Sequence, residues 1–331
     1  MDLDIVFLGT AASAPTAGRA PMATLLRRGG DRLLVDCGEG TQRQLLRSTL
    51  GLPDLTEVFL THFHADHYLG LPGMLKTFAL RQREEPLQLY GPPGLRELYG
   101  HLRRLIGRLP YPVELVEVHA GETLERDGYR LLVFPVHHGV SAVGYALAED
   151  DRPGYFDAEA ADVLGIPHGP ERGALQRGES ITLADGRVLT PDAVLGEARP
   201  GRRIVLSGDT APAETVRVLA EGADVLVHEA TFSEEERDRA EETLHSTARQ
   251  AAEVARDAGV RLLALTHLSP RYAGPELAEE ALEVFPATVA PRDFDVIEVP
   301  FRERGEPTLR RRAARPPRGS REPSELPGSA P

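Results

Sequence analysis

The sequence predicts an α/β fold with one inserted segment. Short apolar strands alternate with amphipathic helices over residues 3–148 and again over residues 203–300. Residues 150–200 differ, being rich in glycine, proline and charge, with one short helical stretch at 157–164. A structureless loop of that length is rare in a compact domain, so we interpret this segment as a projecting arm. The chain has 331 residues, 41% of them apolar, which is enough for a packed core.

The elements that precede the arm follow from hydrophobic spacing. Short apolar runs predict strands at 3–9, at 22–36 in two pieces around Gly29-Gly30, and at 57–61, 87–90, 113–118, 130–138 and 141–148. Apolar residues at helical spacing, such as Leu71, Leu75 and Phe78, predict helices at 40–50, 69–81 and 94–107.

The elements that follow the arm repeat this alternation. Strands are expected at 203–206, 225–228, 262–266 and 295–300, and helices at 213–221, 246–258 and 275–284. We therefore predict one domain over residues 1–302, with residues 150–200 as its insertion. Residues 303–331 have little apolar content and several arginines, which predicts a disordered basic tail.

Composition restricts the class of protein. Cys37 is the only cysteine, so no internal disulfide can form and a reducing, cytoplasmic compartment is favoured. The opening residues Met-Asp-Leu-Asp lack the basic and apolar pattern of a secretory signal. No apolar run reaches the length of a membrane span. We expect a cytoplasmic protein that makes no membrane contact.

Charge is a weaker guide. The net charge of −13 argues, taken globally, against a nucleic-acid partner, because phosphate binding needs clustered positive charge. Residues 1–110 are nearly balanced, however, and Arg103, Arg104 and Arg108 recur along one predicted helix. We interpret these three arginines as a solvated helix face with ion pairs.

A histidine cluster carries the strongest chemical signal. Thr61-His62-Phe63-His64-Ala65-Asp66-His67 comes at the end of a predicted strand. Because alternate residues of an extended segment project the same way, His62 and His64 can bind one metal. Asp66 and His67 then lie where the chain turns, within reach of a second metal. Imidazole and carboxylate groups suit zinc and related divalent ions.

The remaining ligands are expected at the ends of other strands, because one loop rarely completes a metal site. His138 ends an apolar strand, and Asp209 and His267 each follow a short buried run. Sheets in α/β proteins display functional groups at such strand ends. Asp209, with two carboxylate oxygens, can bridge both metals. Asp36 and Glu229 are available as acceptors for the ligand histidines.

The order of these ligands resembles the metallo-β-lactamase superfamily and, within it, the ribonuclease Z family of transfer-RNA 3′-processing endonucleases. The likeness extends to about residue 302, and its most discriminating parts are Thr41-Gln42-Arg43-Gln44 and His245-Ser246-Thr247-Ala248. Further matches are Phe7-Leu8-Gly9-Thr10, Gly70-Leu71-Pro72-Gly73, His228-Glu229-Ala230-Thr231-Phe232 and Thr266-His267-Leu268-Ser269-Pro270-Arg271-Tyr272. The resemblance implies an αβ/βα sandwich of four layers, in which two mixed sheets are flanked by helices. It also implies that the Gly/Pro-rich arm clamps the transfer-RNA elbow, although the arm has more acidic than basic residues.

The resemblance also implies a role for each matching residue. One zinc ion is held by His62, His64 and His138, the other by Asp66, His67 and His267, and Asp209 bridges them. The family's interval to Gly144-Tyr145 selects His138 over His137, which spacing alone leaves open. Asp66 is also the proton acceptor, and His245, supported by Glu229, is catalytic or stabilises the transition state. The expected RNA contacts are Arg271 on phosphate and, in the arm, Arg172 and Arg177.

The implied enzyme is a homodimer with two zinc ions per subunit, for which manganese or iron can substitute, and it needs no organic cofactor. Two such ions lower the pKa of a water and clamp a phosphodiester, so the chemistry agrees with the family's reaction. The expected product is a transfer RNA cut after its discriminator nucleotide, with a 3′-hydroxyl. Two alternatives stay open: another two-metal phosphodiesterase or hydrolase of the superfamily, and an RNA-binding protein that keeps the fold without catalysis.

Overall fold

The computed structural model describes residues 1–48, 50–52 and 55–311. The strands up to the arm are β1 (Leu3–Gly9), β2 (Ala23–Arg28), β3 (Asp31–Val35), β4 (Glu57–Phe59), β5 (Leu87–Gly91), β6 (Val113–Glu117), β7 (Thr123–Arg126), β8 (Tyr129–Pro135) and β9 (Val143–Glu149). The later strands are β10 (Ile181–Thr182), β11 (Val188–Leu189), β12 (Arg203–Leu206), β13 (Val225–Glu229), β14 (Leu262–Thr266), β15 (Thr288–Val289), β16 (Val296–Glu298) and β17 (Thr308–Arg310).

The helices lie mainly between these strands. They are α1 (Thr41–Arg47), α2 (Ala65–Tyr68), α3 (Leu71–Leu80), α4 (Leu95–Ile106), α5 (Ala158–Val163), α6 (Pro170–Gln176), α7 (Glu214–Leu219), α8 (Arg237–Thr243), α9 (Ala248–Ala258) and α10 (Gly274–Leu282). In the described part of the chain, none of them combines the length and apolar content needed to cross a bilayer.

Two mixed sheets form the centre of the molecule. The first has the order β17-β16-β1-β2-β3-β4-β5-β6, and the second has the order β15-β14-β13-β12-β9-β8-β7. Apolar side chains from the two sheets, among them Phe7, Phe59, Tyr145 and Val227, form a shared buried cluster. A sheet that is apolar on both faces must have its outer face covered by helices.

Each sheet buries its outer face under helices. The first sheet packs against α1, α3 and α4 through residues such as Leu45, Leu75 and Tyr99. The second packs against α7, α9 and α10, where the small side chains of α9 allow close approach. The arrangement is helix, sheet, sheet, helix, which confirms the predicted four-layer αβ/βα sandwich of two mixed sheets.

The arm leaves and re-enters the second sheet between two neighbouring strands. β9 and β12 are paired antiparallel, with Ala148 opposite Arg203, so residues 150–202 form an excursion from adjacent strand ends. At its root, Arg152 and Arg199 exchange two backbone hydrogen bonds of 2.8 Å. Within it, α5, α6 and the β10–β11 hairpin enclose a small apolar cluster that includes Ile166 and Leu175. The arm is therefore a folded segment with its own small apolar core.

The prediction of a disordered tail from residue 303 onward was wrong about where the tail begins. Arg302–Arg304 forms a short 3₁₀ turn, and β17 pairs antiparallel with β16 at the edge of the first sheet. Leu309 packs against the cluster between the sheets, which supplies the apolar contact that composition alone did not reveal. The rest of the predicted disordered tail, residues 312–331, lies outside the described residues.

Candidate metal centre

Strand ends from both sheets converge on one group of histidines and aspartates. β14 ends directly before His267, and two residues separate the ends of β4, β8 and β12 from His62, His138 and Asp209, respectively. The two sheets thus contribute ligands to one edge of the sandwich, as expected for functional groups at carboxyl strand ends. Potential ligand atoms form two compact sets, each within 4.8 Å: His62, His64, His138 and Asp209, and Asp66, His67 and His267.

The first set uses the alternation of the extended segment at residues 62–64. The rings of His62 and His64 lie 4.6 Å apart, and His138 Nε2 is 3.2 Å from His64 Nδ1. His62 Nε2 is 3.6 Å from Asp209 Oδ2, and both residues are fully or almost fully buried. The structure brings His138, and not His137, into this set.

The second set begins where the chain turns into the short helix α2, which carries Asp66 and His67. His67 Nε2 is 3.4 Å from His267 Nε2, and His267 Nε2 is 3.3 Å from Asp66 Oδ2. Asp209 Oδ2 lies 3.3 Å from His67 Nε2 and 3.2 Å from His267 Nε2. Together with its 3.6 Å distance from His62 Nε2, these contacts put Asp209 between the two sets, within reach of both.

Buried acceptors hold the ligand rings from behind. Asp36 Oδ2 is 2.8 Å from His67 Nδ1, and Asp36 also accepts hydrogen bonds from the Thr61 N–H and hydroxyl. Thr231 Oγ1 lies 2.8 Å from His267 Nδ1. Such contacts fix ring orientation and tautomer, which leaves the opposite nitrogen free to bind a metal. Asp36 was expected in this role, whereas Thr231 was not singled out.

His245 stands next to both sets. Its ring stacks on that of His267 with centroids 5.3 Å apart, and its Nδ1 lies 2.7 Å from Glu229 Oε1. Burial lowers the pKa of His245, but the charge and hydrogen bond of Glu229 outweigh burial and raise it to about 9. Glu229 is itself held by the N–H groups of Thr210 and Thr231. His245 also falls within ligand distance of Asp209 and His267.

The electrostatics of the site fit divalent cations. Burial lowers the pKa of His62 well below its usual value, which keeps the imidazole in the neutral form that binds metals. Although burial opposes it, the charges of Asp209 and Asp36 raise the pKa of His67 well above the ordinary value. Two buried polar atoms, His62 Nε2 and Asp209 Oδ1, have no hydrogen-bond partner in the described part of the chain. Unpaired buried nitrogen and carboxylate oxygen are costly, and both are metal ligands.

The expected RNA contacts are less uniform. The Arg271 guanidinium is partly exposed and pairs with Glu236 at 3.1 Å. In the arm, Arg177 is exposed and pairs with Glu179. The prediction that Arg172 contacts RNA was wrong. Arg172 is buried, donates to the Ile166 carbonyl at 2.9 Å and pairs with Asp162. Its guanidinium holds the arm together and is not available to RNA.

The comparisons with known families agree with this fold and site. A model of the metallo-β-lactamase superfamily matches residues 17–151, and one of a β-lactamase superfamily domain matches residues 193–268. A protein named ribonuclease Z from Myxococcus xanthus is 48% identical over 306 residues, covering 91% of this chain and 99% of the relative. Another of that name, from Haloferax volcanii, is 47% identical over 310 residues, covering 91% and 96%.

Solved structures give the same likeness. The short form of human tRNase Z aligns with a TM-score of 0.65 and 27% identity, covering 90% of this chain and 99% of that one. The metallo-β-lactamase fold protein YhfI from Bacillus subtilis aligns with a TM-score of 0.67 over 90% of this chain and 100% of its own. At 19% identity the second match shows the shared fold alone.

Proposed function

The chain belongs to the ribonuclease Z family, and on that premise we propose how its residues process the 3′ end of transfer RNA. It is an endoribonuclease of the metallo-β-lactamase fold that acts on transfer-RNA 3′ ends. The proposed reaction is hydrolysis of the phosphodiester after the discriminator nucleotide, which removes the 3′ trailer and leaves a 3′-hydroxyl.

The observation that carries this proposal is the pair of ligand sets with Asp209 between them. We assign two zinc ions per subunit, one to His62, His64 and His138 and the other to Asp66, His67 and His267, with Asp209 shared. The orphaned His62 Nε2 and Asp209 Oδ1 support this assignment. When bound, two such ions supply Lewis acidity toward the phosphate and lower the pKa of a nearby water.

The protein groups around the ligands have separate tasks. Asp66 takes the proton of the attacking water; although burial opposes it, the hydrogen bond and charge of His267 lower the pKa of the Asp66 carboxyl, so the group is ionised and able to accept a proton. His245, protonated beside Glu229, directs an N–H at the phosphate where negative charge develops. Arg271 lies on the loop after His267 and contacts the RNA phosphate once it is released from Glu236.

The arm and the assembly complete the proposal. The folded arm binds the body of the transfer RNA away from the scissile bond, where shape and backbone are recognised. The active form is a cytoplasmic homodimer in which the arm of one subunit serves the metal centre of the other.

The deciding experiment maps the cut on a precursor transfer RNA with a 3′ trailer, with and without a chelator. We expect a single new 3′ end after the discriminator nucleotide, and no cut once metals are removed. His67→Ala and Asp66→Asn should abolish cleavage, whereas His119→Ala, which changes an exposed histidine far along the chain, should not. Hydrolysis of bis(p-nitrophenyl) phosphate without any cut in the RNA would point instead to another two-metal phosphodiesterase. Metal analysis and light scattering test the zinc content and the dimer.

A further inference from the structure

The loop of residues 10–22, between β1 and β2, reaches the carboxylate proposed as proton acceptor. The Ser13 N–H donates to Asp66 Oδ2 at 2.7 Å. Ser13 has a φ of 58°, in the left-handed region that is costly for a residue with a Cβ. Such strain persists only where the surroundings hold the backbone in place, and it concentrates at functional sites.

Asp293 is the group that holds this loop. Its Oδ1 accepts the Thr10 hydroxyl at 3.1 Å, and its Oδ2 accepts the Ala20 N–H at 2.8 Å. Thr10 and Ala20 lie near the two ends of the loop, and a backbone hydrogen bond of 2.9 Å also joins them. One carboxylate therefore closes the base of the loop.

The carboxylate is itself fixed to the rest of the fold. Gln44 Nε2 donates to Asp293 Oδ2 and to the Leu8 carbonyl, each at 2.7 Å. Arg19 Nη1 donates to Thr10 Oγ1 at 2.6 Å and to the Pro291 carbonyl at 2.9 Å. Burial raises the pKa of Asp293 to about 6, so placing an ionised carboxylate here costs free energy that its four neighbours must offset.

The same loop is joined to the segment that carries His267. The Ala12 N–H donates to the Leu268 carbonyl, and the Leu268 N–H donates to the Thr10 carbonyl, each at 3.0 Å. Leu268 directly follows His267, whose own φ is 54°. A displacement of the loop would therefore act on Asp66 through Ser13 and on His267 through Leu268.

We propose that Asp293 is a positioning residue of the metal centre, which closes the loop of residues 10–22 and thereby aims the Ser13 N–H at Asp66. This charge-assisted hydrogen bond fixes the orientation of the Asp66 carboxylate. Asp293 touches neither substrate nor ligand atoms and acts only through the loop. This inference deepens the proposed function, since it rests on the role assigned there to Asp66.

The test compares Asp293→Asn with Arg292→Gln. The asparagine keeps the side-chain size but replaces one acceptor oxygen with an NH₂ group that opposes the Ala20 N–H or the Gln44 amide. Arg292 is the exposed neighbour, and its side chain forms no hydrogen bond with the loop in the described part of the chain. Both proteins are prepared with cobalt(II), and the absorption spectrum is recorded alongside kcat and KM for bis(p-nitrophenyl) phosphate.

We expect Asp293→Asn to change the cobalt spectrum and lower kcat by roughly tenfold or more, with KM within about twofold of the wild type. Arg292→Gln should match the wild type in the cobalt spectrum, in kcat and in KM. A purely structural role would lower the melting temperature yet leave spectrum and kcat of the folded variant unchanged, and that result overturns the inference. A rise in KM with an unchanged cobalt spectrum and kcat would also overturn the inference. The comparison of the two variants uses no RNA. If the wild type fails to cut transfer RNA, the proposed function is refuted, but the positioning role of Asp293 is still tested by this comparison.

Thr10→Val provides the second variant if Asp293→Asn does not fold. It is nearly isosteric and removes the hydroxyl that donates to Asp293 and accepts from Arg19, while leaving the Ala20 and Gln44 contacts of Asp293. The cobalt spectrum and kcat should shift in the same direction by a smaller factor. A folded Thr10→Val protein with the wild-type spectrum and kcat would contradict the proposed positioning.

Discussion

His245 faces the buried Glu229, which two backbone N–H groups also hold. His67 has a comparable carboxylate partner in Asp36, so the partner alone does not distinguish a ligand from a hydrogen-bond donor. A carboxylate fixed in this way favours the protonated imidazole, and in that form His245 donates a hydrogen bond.

His245→Gln should therefore lower kcat for RNA cleavage by about two to three orders of magnitude without changing metal content. Glutamine still reaches Glu229 but cannot carry the positive charge. Metal content is measured by mass spectrometry and kcat under single-turnover conditions, with His119→Gln as the control at an exposed histidine. Loss of one metal from His245→Gln would show that His245 is a ligand, as its distance from Asp209 allows.

The residues of the site divide into those that spacing can predict and those that it cannot. His62, His138, Asp209 and His267 could be predicted because a polar ligand type directly follows a buried run. Thr231 holds a ligand through a tertiary contact only, since it lies 36 residues from His267. Asp293 and Ser13 are likewise connected to the site through the folded backbone, across 283 and 53 residues to Thr10 and Asp66, respectively.

At the scale of elements, the arm is attached to the sandwich through a buried ion cluster. Glu149, the last residue of β9, is buried, and its carboxylate bonds Arg28 at 2.8 Å and Arg202 at 2.7 Å. Burial alone would raise the pKa of Glu149, but the hydrogen bonds and charges of Arg202 and Arg28 lower it below the ordinary 4.5. Because the folded pKa is depressed, the contribution to stability is full above about 4.5 and is lost as pH falls through the folded value.

Glu149→Gln should destabilise the protein by about 3 kcal/mol at pH 7, because it leaves two buried guanidinium groups without their counter-charge. The difference from the wild type should narrow as pH falls below 4.5, where the wild-type carboxylate also becomes protonated. Urea unfolding of both proteins across pH 3–7 measures it, and comparison at each pH cancels the shared effect of acid on the metal ligands. A difference that stays constant over this range would contradict the depressed pKa.

The elements that the sequence could not predict are short or depend on pairing. β7 is four residues of alternating exposure that end in a glutamate and an arginine, and β17 is formed because the edge of β16 is available to it. Helix α6 has only two buried side chains, one of them an arginine, so its hydrophobic spacing is too weak to detect. The longer elements around the core, such as α9 and β14, were predicted to within about two residues, because burial of one face of α9 and of both faces of β14 gives each a clear apolar pattern.

Replacing residues 151–200 with a short Gly-Ser turn should leave the sandwich and its metal centre intact. β9 and β12 are already neighbours, and the Glu149 N–H donates to the Arg202 carbonyl at 2.9 Å, so a tight connection fits. We expect hydrolysis of bis(p-nitrophenyl) phosphate to persist, while KM for precursor transfer RNA rises by roughly two orders of magnitude through loss of a second contact. An unchanged KM for the precursor transfer RNA would show that the arm does not contribute to RNA binding.

Over the whole molecule, the arginines of the arm are neutralised by acidic partners, whereas two arginines of α4 have none among the described residues. Each arginine of the arm has an acidic partner, as in the pairs Arg177–Glu179 and Arg187–Asp185. In contrast, Arg103 and Arg104 are exposed on α4 and form no ion pair among the residues that the structure describes, contrary to the ion-paired helix face expected from sequence. α4 begins beside Phe63, next to the histidine cluster, since a Cβ on Gly94 would lie 3.4 Å from that ring.

Phosphate binding by a protein of net charge −13 should therefore depend on α4 rather than on the arm. An arginine that contacts phosphate adds about 0.9 to the slope of log affinity against log salt concentration. Arg103→Gln/Arg104→Gln should flatten that slope for precursor transfer RNA by about 1–2, because both side chains are unpaired. Arg177→Gln/Arg187→Gln removes the same two charges and should change the slope by much less, since those arginines already have partners. Equal changes in the two double variants would mean that only net charge matters, and a larger change in the arm variant would return phosphate recognition to the arm.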